Sequence, residues 1–278
     1  MARKTHRDSP YPKTVYSLIG EGGLQSARVI APMLVEHFRI RSVVDFGCGT
    51  GSWLAAFREV GVEDVLGLDF HRLDGGALLI PREKFRTVDL RKPVTLDRKF
   101  DLVVCVEVVE HLPATAADAL IDSLVNAGDI ILFSGAIPGQ LGYAHVNEQW
   151  QSHWVREFSR RGMVAVDWIR PKIWAHPRVD FWYAQNSLLF LSQSALLGFP
   201  RLMESVGVAH ESLSVVHPLL YLDRSAVQKS RLHRAAQWSV QKFPFLWAWL
   251  SRRRAVRLSK LATEIWDEHT GEERVEQH

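Results

Sequence analysis

Two short runs carry the side chains best suited to chemistry: Glu107-Val-Val-Glu110-His111 and His145-Val-Asn147-Glu148-Gln149-Trp150. Carboxylate oxygens and imidazole nitrogens together can hold a divalent ion such as Mg2+ or Mn2+. Glu107, Glu110, His111 and His145 are the candidate ligands. The same groups allow metal-free proton removal from a hydroxyl, with His111, His145 and Glu110 as candidate catalytic residues. Asn147, Glu148 and Gln149 have the donors and acceptors to read substrate hydroxyls. The plainer alternatives are a surface acid cluster for the first run and a helix cap at Asn147. A second set surrounds a glycine turn, Asp45-Phe-Gly47-Cys-Gly49-Thr-Gly51, with Asp69-Phe70 and Asp89-Leu90 further along. A bare main chain beside strand-end acids suits a nucleoside.

These residues need strands and helices to bring them together. Ile40 to Phe46 reads as a strand rich in branched and aromatic residues, and Trp53 to Val60 resumes at helical spacing. Strands follow at Asp64 to Phe70, Phe85 to Leu90, Phe100 to Val106, Asp129 to Phe133, Met163 to Ile169 and Ser187 to Leu191. Helices are expected at Gly22 to Phe38, Ala114 to Ala127, Ser152 to Arg161 and Pro177 to Asn186. Pro32 is expected to kink or split the first of them. That helix is either a lid over the glycine turn or a packing helix. Tyr183 and Gln185 lie where a substrate could touch them but read first as packing residues. Alternating strands and helices imply an α/β fold with a largely parallel sheet.

Val43 to Gly51 matches, at every position, the first motif of the class I S-adenosylmethionine (SAM)-dependent methyltransferases. That motif has two hydrophobic residues, Asp, a hydrophobic residue and Gly-x-Gly-x-Gly. The dinucleotide fingerprint Gly-x-Gly-x-x-Gly fits less well, because the third glycine comes one residue early. The resemblance covers about residues 24–193. It implies a Rossmann-like seven-stranded sheet with helices on both faces, ending in an antiparallel hairpin. It implies SAM as cofactor, with Asp45, Gly47, Gly49 and Gly51 at the methionine end. Asp69 would hold the ribose, Phe70 would lie against the adenine, and Asp89 and Leu90 would bond its edge; Glu107 joins this cofactor set. Glu-x-x-Glu-His also resembles the small-RNA 2′-O-methyltransferases and ubiquinone-pathway O-methyltransferases, where these positions are tied to a metal. His-Val-Asn-Glu-Gln-Trp resembles a bacterial class I group that accompanies glycan or natural-product biosynthesis.

The expected enzyme is therefore an O-methyltransferase for a hydroxylated small molecule or glycan. The rivals are an RNA 2′-O-methyltransferase, a SAM-binding protein without catalysis and, last, a nicotinamide-dependent oxidoreductase. The chain divides into a flexible leader (1–20), a methyltransferase domain (21–193) and a basic, mainly helical C-terminal extension (194–278). From Arg224 to Ala262 every ionised side chain is basic, with Trp238, Trp247 and Trp249 interspersed. This run suits peripheral contact with an anionic membrane, RNA, or simple packing on the core. Two cysteines and a net charge of +3 give neither a disulfide framework nor a general polyanion binder. No apolar run approaches the roughly 18 residues of a membrane span. The expected location is the cytoplasm, with the inner membrane face as a peripheral site.

Overall fold

A computed structural model of the chain describes residues 13–70, 78–206 and 210–228. Seven strands form one sheet: β1 (Ser42–Phe46), β2 (Asp64–Asp69), β3 (Phe85–Thr87), β4 (Leu102–Val106), β5 (Ile130–Ser134), β6 (Met163–Val166) and β7 (Leu188–Ser192). Their order is β3-β2-β1-β4-β5-β7-β6. The first five pair in parallel. β7 runs antiparallel to both β5 and β6, the hairpin that the resemblance implied. β1, β4 and β5 are buried along their whole length, hence their largely apolar sequences.

Two apolar layers cover the sheet. On one face pack α1 (Lys13–Phe38), α2 (Ser52–Glu59), α5 (Arg170–Ile173) and α6 (Phe181–Asn186), through Ala27, Ile30, Leu34, Leu54, Ile173 and Tyr183. On the other lie α3 (Ala117–Ala127) and α4 (Gln151–Ser159), through Leu120, Leu124, Trp154 and Phe158. A short α7 (Gln193–Leu197) follows β7, and α8 (Pro218–Gln228) returns to the domain. Leu219 and Leu220 of α8 join Ile137 and Phe181 in a small cluster of their own.

Several expected boundaries move. α1 begins at Lys13, inside the expected leader, and runs through Pro32 as one helix. Pro32 is exposed, where water can satisfy the carbonyl its ring leaves unpaired. The third strand ends at Thr87, so Asp89 and Leu90 stand in the following turn rather than on the strand. The first, fourth and sixth strands are also shorter than their apolar runs, because apolar residues such as Ile40, Phe100 and Ile169 are buried outside the ladder. Of the extension, residues 194–206 and 210–228 are described. The basic run from residue 229 onward, the acidic end and residues 1–12 of the leader lie outside the described residues.

Candidate active site

The sheet's carboxyl edge gathers both sets of residues. Gly47, Gly49 and Gly51 take φ of +82°, +52° and +81°, a left-handed backbone that side chains disfavour. The turn hangs on β2: Gly47 N and Cys48 N donate to Leu68 O at 2.7 and 3.1 Å. Gly49 N donates to Asp69 Oδ2 at 2.8 Å. A Cβ at Gly47 would overlap the Val108 side chain, and one at Gly51 would press on Ile80. A Cβ at Gly49 would meet nothing within 4 Å, so this peptide faces open space. The turn is thus packed on both flanks and bare at its centre.

Asp45 is buried beneath the turn, and burial, reinforced by the Asp69 charge, pushes its carboxyl well above the usual range. Phe70 is half exposed, with the Arg91 guanidinium 5.4 Å above its ring centre. Arg91 also grips Asp89 through Nε and Nη2 at 2.8 and 2.9 Å, holding that carboxyl below its ordinary value. Leu90 is buried.

Glu107 follows β4 directly with φ +54°, a strained value for a residue with a side chain. Its N–H is held by Ser134 O and Oγ at 3.1 and 3.0 Å. A single 3-10 turn, Val109–His111, then carries Glu110 and His111. Glu110 is fully buried and neither carboxylate oxygen has a hydrogen-bond partner. Burial, then the neighbouring Glu107 charge, pushes its carboxyl well above normal. His111 is half-buried, and desolvation with His145 nearby lowers its pKa to about 3. The ring stays neutral at ordinary pH, with a lone pair to offer.

The second run folds back over the first. Val146 N and Asn147 N donate to Glu110 O at 2.8 and 3.1 Å, and Gln149 N donates to Ala136 O at 3.1 Å. His145 Nδ1 lies 2.9 Å from Glu148 Oε1. Glu148 also accepts from Gly139 N and Leu141 N, each at 2.8 Å. Burial opposes its charge, but these bonds win and hold the carboxyl below its usual range. A carboxylate accepts only, so His145 carries its proton on Nδ1 and keeps the Nε2 lone pair. The His111 and His145 rings meet edge to face, 4.8 Å apart. Glu110, His111 and His145 each bring one ligand atom within 4.8 Å of the others. Glu107, the fourth expected ligand, stands outside this group: its oxygens are engaged by Asn186 and Gln140. Gln149 Nε2 donates to Asn147 Oδ1 at 3.3 Å. Gln140 and Asn186, buried behind Glu107, carry no motif and escaped the sequence reading; Gln185, read first as a packing residue, is buried with them.

A methyltransferase-domain family profile matches residues 22–166, just over half of the chain. The chain belongs to this family. Residues 22–166 are thus a methyltransferase domain. A ribosomal protein L11 methyltransferase from Xanthomonas campestris pv. campestris (strain 8004) is 29% identical over 154 residues, spanning 50% of this methyltransferase. The match spans 45% of that curated relative, less than half its length. The magnesium protoporphyrin IX methyltransferase of Synechocystis PCC 6803, solved with bound SAM, is 20% identical with a TM-score of 0.45. It covers 69% of this chain and 89% of its own. The methyltransferase domain of bacterial CtHen1-C is 15% identical, TM-score 0.42, over 60% of this methyltransferase and 97% of that domain. Among the described residues of this methyltransferase, no helix is long and apolar enough to cross a membrane.

Proposed function

We propose that this methyltransferase transfers the SAM methyl group to a hydroxyl of a small polyhydroxylated molecule or glycan, with a divalent ion at Glu110, His111 and His145. The observation that carries the reading is the convergence of one carboxylate and two imidazoles. Their chemistry fits a dication: Glu110 has no partner for either oxygen, and His111 is held neutral. Bound there, an ion would lower the pKa of a coordinated hydroxyl.

The chain's own residues do the rest. Gly49 lets the methionine end of SAM lie against bare main chain, with Asp45 beneath and Gly47 and Gly51 setting the turn. Asp69 takes the ribose hydroxyls, Phe70 lies on the adenine, and Asp89 with the Leu90 N–H reads the adenine edge. Glu107 faces the methionine end. The sulfonium makes the methyl a ready electrophile, so catalysis reduces largely to in-line placement and proton removal. Glu148 orients His145 with Nε2 toward the acceptor, and Asn147 and Gln149 read its remaining hydroxyls. Residues 1–20, 21–193 and 194–278 are proposed as leader, catalytic domain and extension.

The test is transfer to a panel of polyhydroxylated acceptors before and after exhaustive chelation. Chelation is expected to abolish turnover and Mg2+ or Mn2+ to restore it. Undiminished turnover in metal-free buffer would reject the ion and leave His145 as the base. The RNA reading rests on Glu-x-x-Glu-His and on the basic run beyond residue 228. Salt-independent RNA affinity would count against it, as would no methylation of short RNAs.

A further inference from the structure

Behind Glu107 lies a chain of side-chain amides for which the proposed reaction has no direct use. Glu107 Oε2 accepts from Gln140 Nε2 at 2.9 Å, and Oε1 accepts from Asn186 Nδ2 at 3.0 Å. Gln140 Oε1 accepts in turn from Asn186 Nδ2 at 2.9 Å and from Gln185 Nε2 at 3.2 Å. Gln185 Nε2 also donates to Asn186 Oδ1 at 2.8 Å. The far end closes on main chain: His217 N donates to Gln185 Oε1 at 2.8 Å. Gln140, Gln185 and Asn186 are 6%, 0% and 2% exposed, so water cannot easily substitute for a lost partner.

The polarity of this chain is locked from its far end. A backbone N–H can only donate, so Gln185 must turn its oxygen to His217 and its NH2 to the other two amides. Rotating any one amide by half a turn would set oxygen against oxygen or NH2 against NH2. Only one arrangement satisfies every bond, and it presents two N–H donors to Glu107.

The donor at the far end is itself fixed. The His217 ring bridges Trp174 O (2.7 Å) and Leu219 N (3.2 Å). Arg170 Nη1 donates to Leu213 O at 2.8 Å, and Gln151 Nε2 to Val215 O at 3.1 Å. This segment lies beyond residues 22–166, the part that matches the family.

The near end meets the cofactor cradle. Val108, next to Glu107, is the side chain that packs against Gly47. Among the described residues no lysine or arginine pairs with it. A half-buried carboxylate with neutral donors behind it and no lysine or arginine partner is suited to receive a cation.

We propose that Gln140, Asn186 and Gln185 are positioning residues that aim Glu107 at the α-ammonium of the cofactor's methionine end. The segment around His217 fixes their orientation, so the C-terminal part of the chain completes the cofactor site. This rests on the SAM reading above and deepens the role of Glu107 within it.

The experiment is calorimetry on the full chain with two probes. S-adenosylhomocysteine carries the ammonium; 5′-methylthioadenosine has the same nucleoside and thioether without the amino-acid end. Glu107→Gln sets the reference, an expected tenfold or greater weakening for the first probe and less than twofold for the second. Gln185→Glu keeps the acceptor for His217 but removes the donor that orients the other two amides. Gln185→Met removes both without adding a charge. Each is expected to weaken S-adenosylhomocysteine at least fivefold and to leave methylthioadenosine within twofold. If Glu107→Gln is selective but both Gln185 variants bind both probes as the natural chain does, the positioning role is overturned and the cofactor reading stands. If the Gln185 variants lose both probes equally, they report general damage, and the proposal is again overturned. A Glu107→Gln variant that does not separate the probes removes the ammonium assignment, and the proposal with it.

Discussion

His145 shows how a single residue acquires a role from its neighbours. Glu148 accepts a hydrogen bond from its Nδ1 and at the same time from the main chain of Gly139 and Leu141, in the loop after β5. His145→Ala is expected to lower kcat about 100-fold or more. Glu148→Gln keeps an acceptor but loses the charge and the double grip on the loop; a smaller fall of about tenfold is expected. Steady-state kinetics on both variants checks the order. Asp180 supplies a prediction about stability. The residue is half-buried, its Oδ2 is fully buried without a partner, and desolvation raises its pKa to about 7. Its ordinary value is 3.8, so between those two values the folded chain holds a proton that the unfolded chain has lost. This contribution to stability is therefore full below pH 3.8 and is lost as pH rises through about 7, at up to about 1.4 kcal/mol per pH unit. Asp180→Asn removes the slope. Its melting temperature is expected to gain on the natural chain between pH 5 and pH 8; equal shifts in the two proteins would refute the assignment.

At the scale of elements, the glycine turn between β1 and α2 acts as a packed hinge-point rather than a loose loop. Gly47 combines a φ of +82° with contact against Val108. Gly47→Ala therefore has to displace the residue next to Glu107 and is expected to cost about 1–3 kcal/mol. Denaturant titration would read that cost, and SAM binding would fall with it. Gly49→Ala meets no protein atom, so its cost in stability is smaller and its effect on SAM larger. α1 is tied to the site in a similar way. A Cβ at Gly22 would run into the Asp180 carboxylate, and one at Gly23 would sit 3.2 Å from Ser52 Oγ and 3.4 Å from Tyr183 Oη. The paired glycines Gly22 and Gly23 let α1 close down over α2 and α6. Most of these elements were legible in the sequence. Apolar runs located all seven strands, since β1, β4 and β5 are buried end to end. Strand ends were less legible. Ile40, Phe100 and Ile169 are buried without joining the ladder, and composition alone does not separate burial from pairing.

On the scale of the molecule, α8 matters because of what it covers. Leu219 and Leu220 are each 3% exposed and pack with Ile137 of the site loop and Phe181 of α6. Leu219→Ala is expected to cost about 2–5 kcal/mol, as for other buried leucines. If α8 only decorated the surface, the change would leave the melting temperature untouched. Because the cluster includes Ile137, three residues before Gln140, the same variant is expected to weaken SAM binding as well. The extension thus has two parts in different situations. Its first part is stitched into the catalytic domain through Leu213, Val215 and His217. The basic run lies beyond it.

The sequence alone determined the family and the sheet. Those features are local: a nine-residue motif, apolar strands and carboxylates at their ends follow from neighbours along the chain. Tertiary structure decided how the four proposed ligands divide. Glu110, His111 and His145 converge, while Glu107 turns away to Gln140 and Asn186. Glu107 lies 79 residues from Asn186 and 33 from Gln140, a separation that no periodicity or motif encodes. Such amides carry no charge and no spacing rule. Their role appears only when the fold removes water around them and leaves each donor one acceptor within reach.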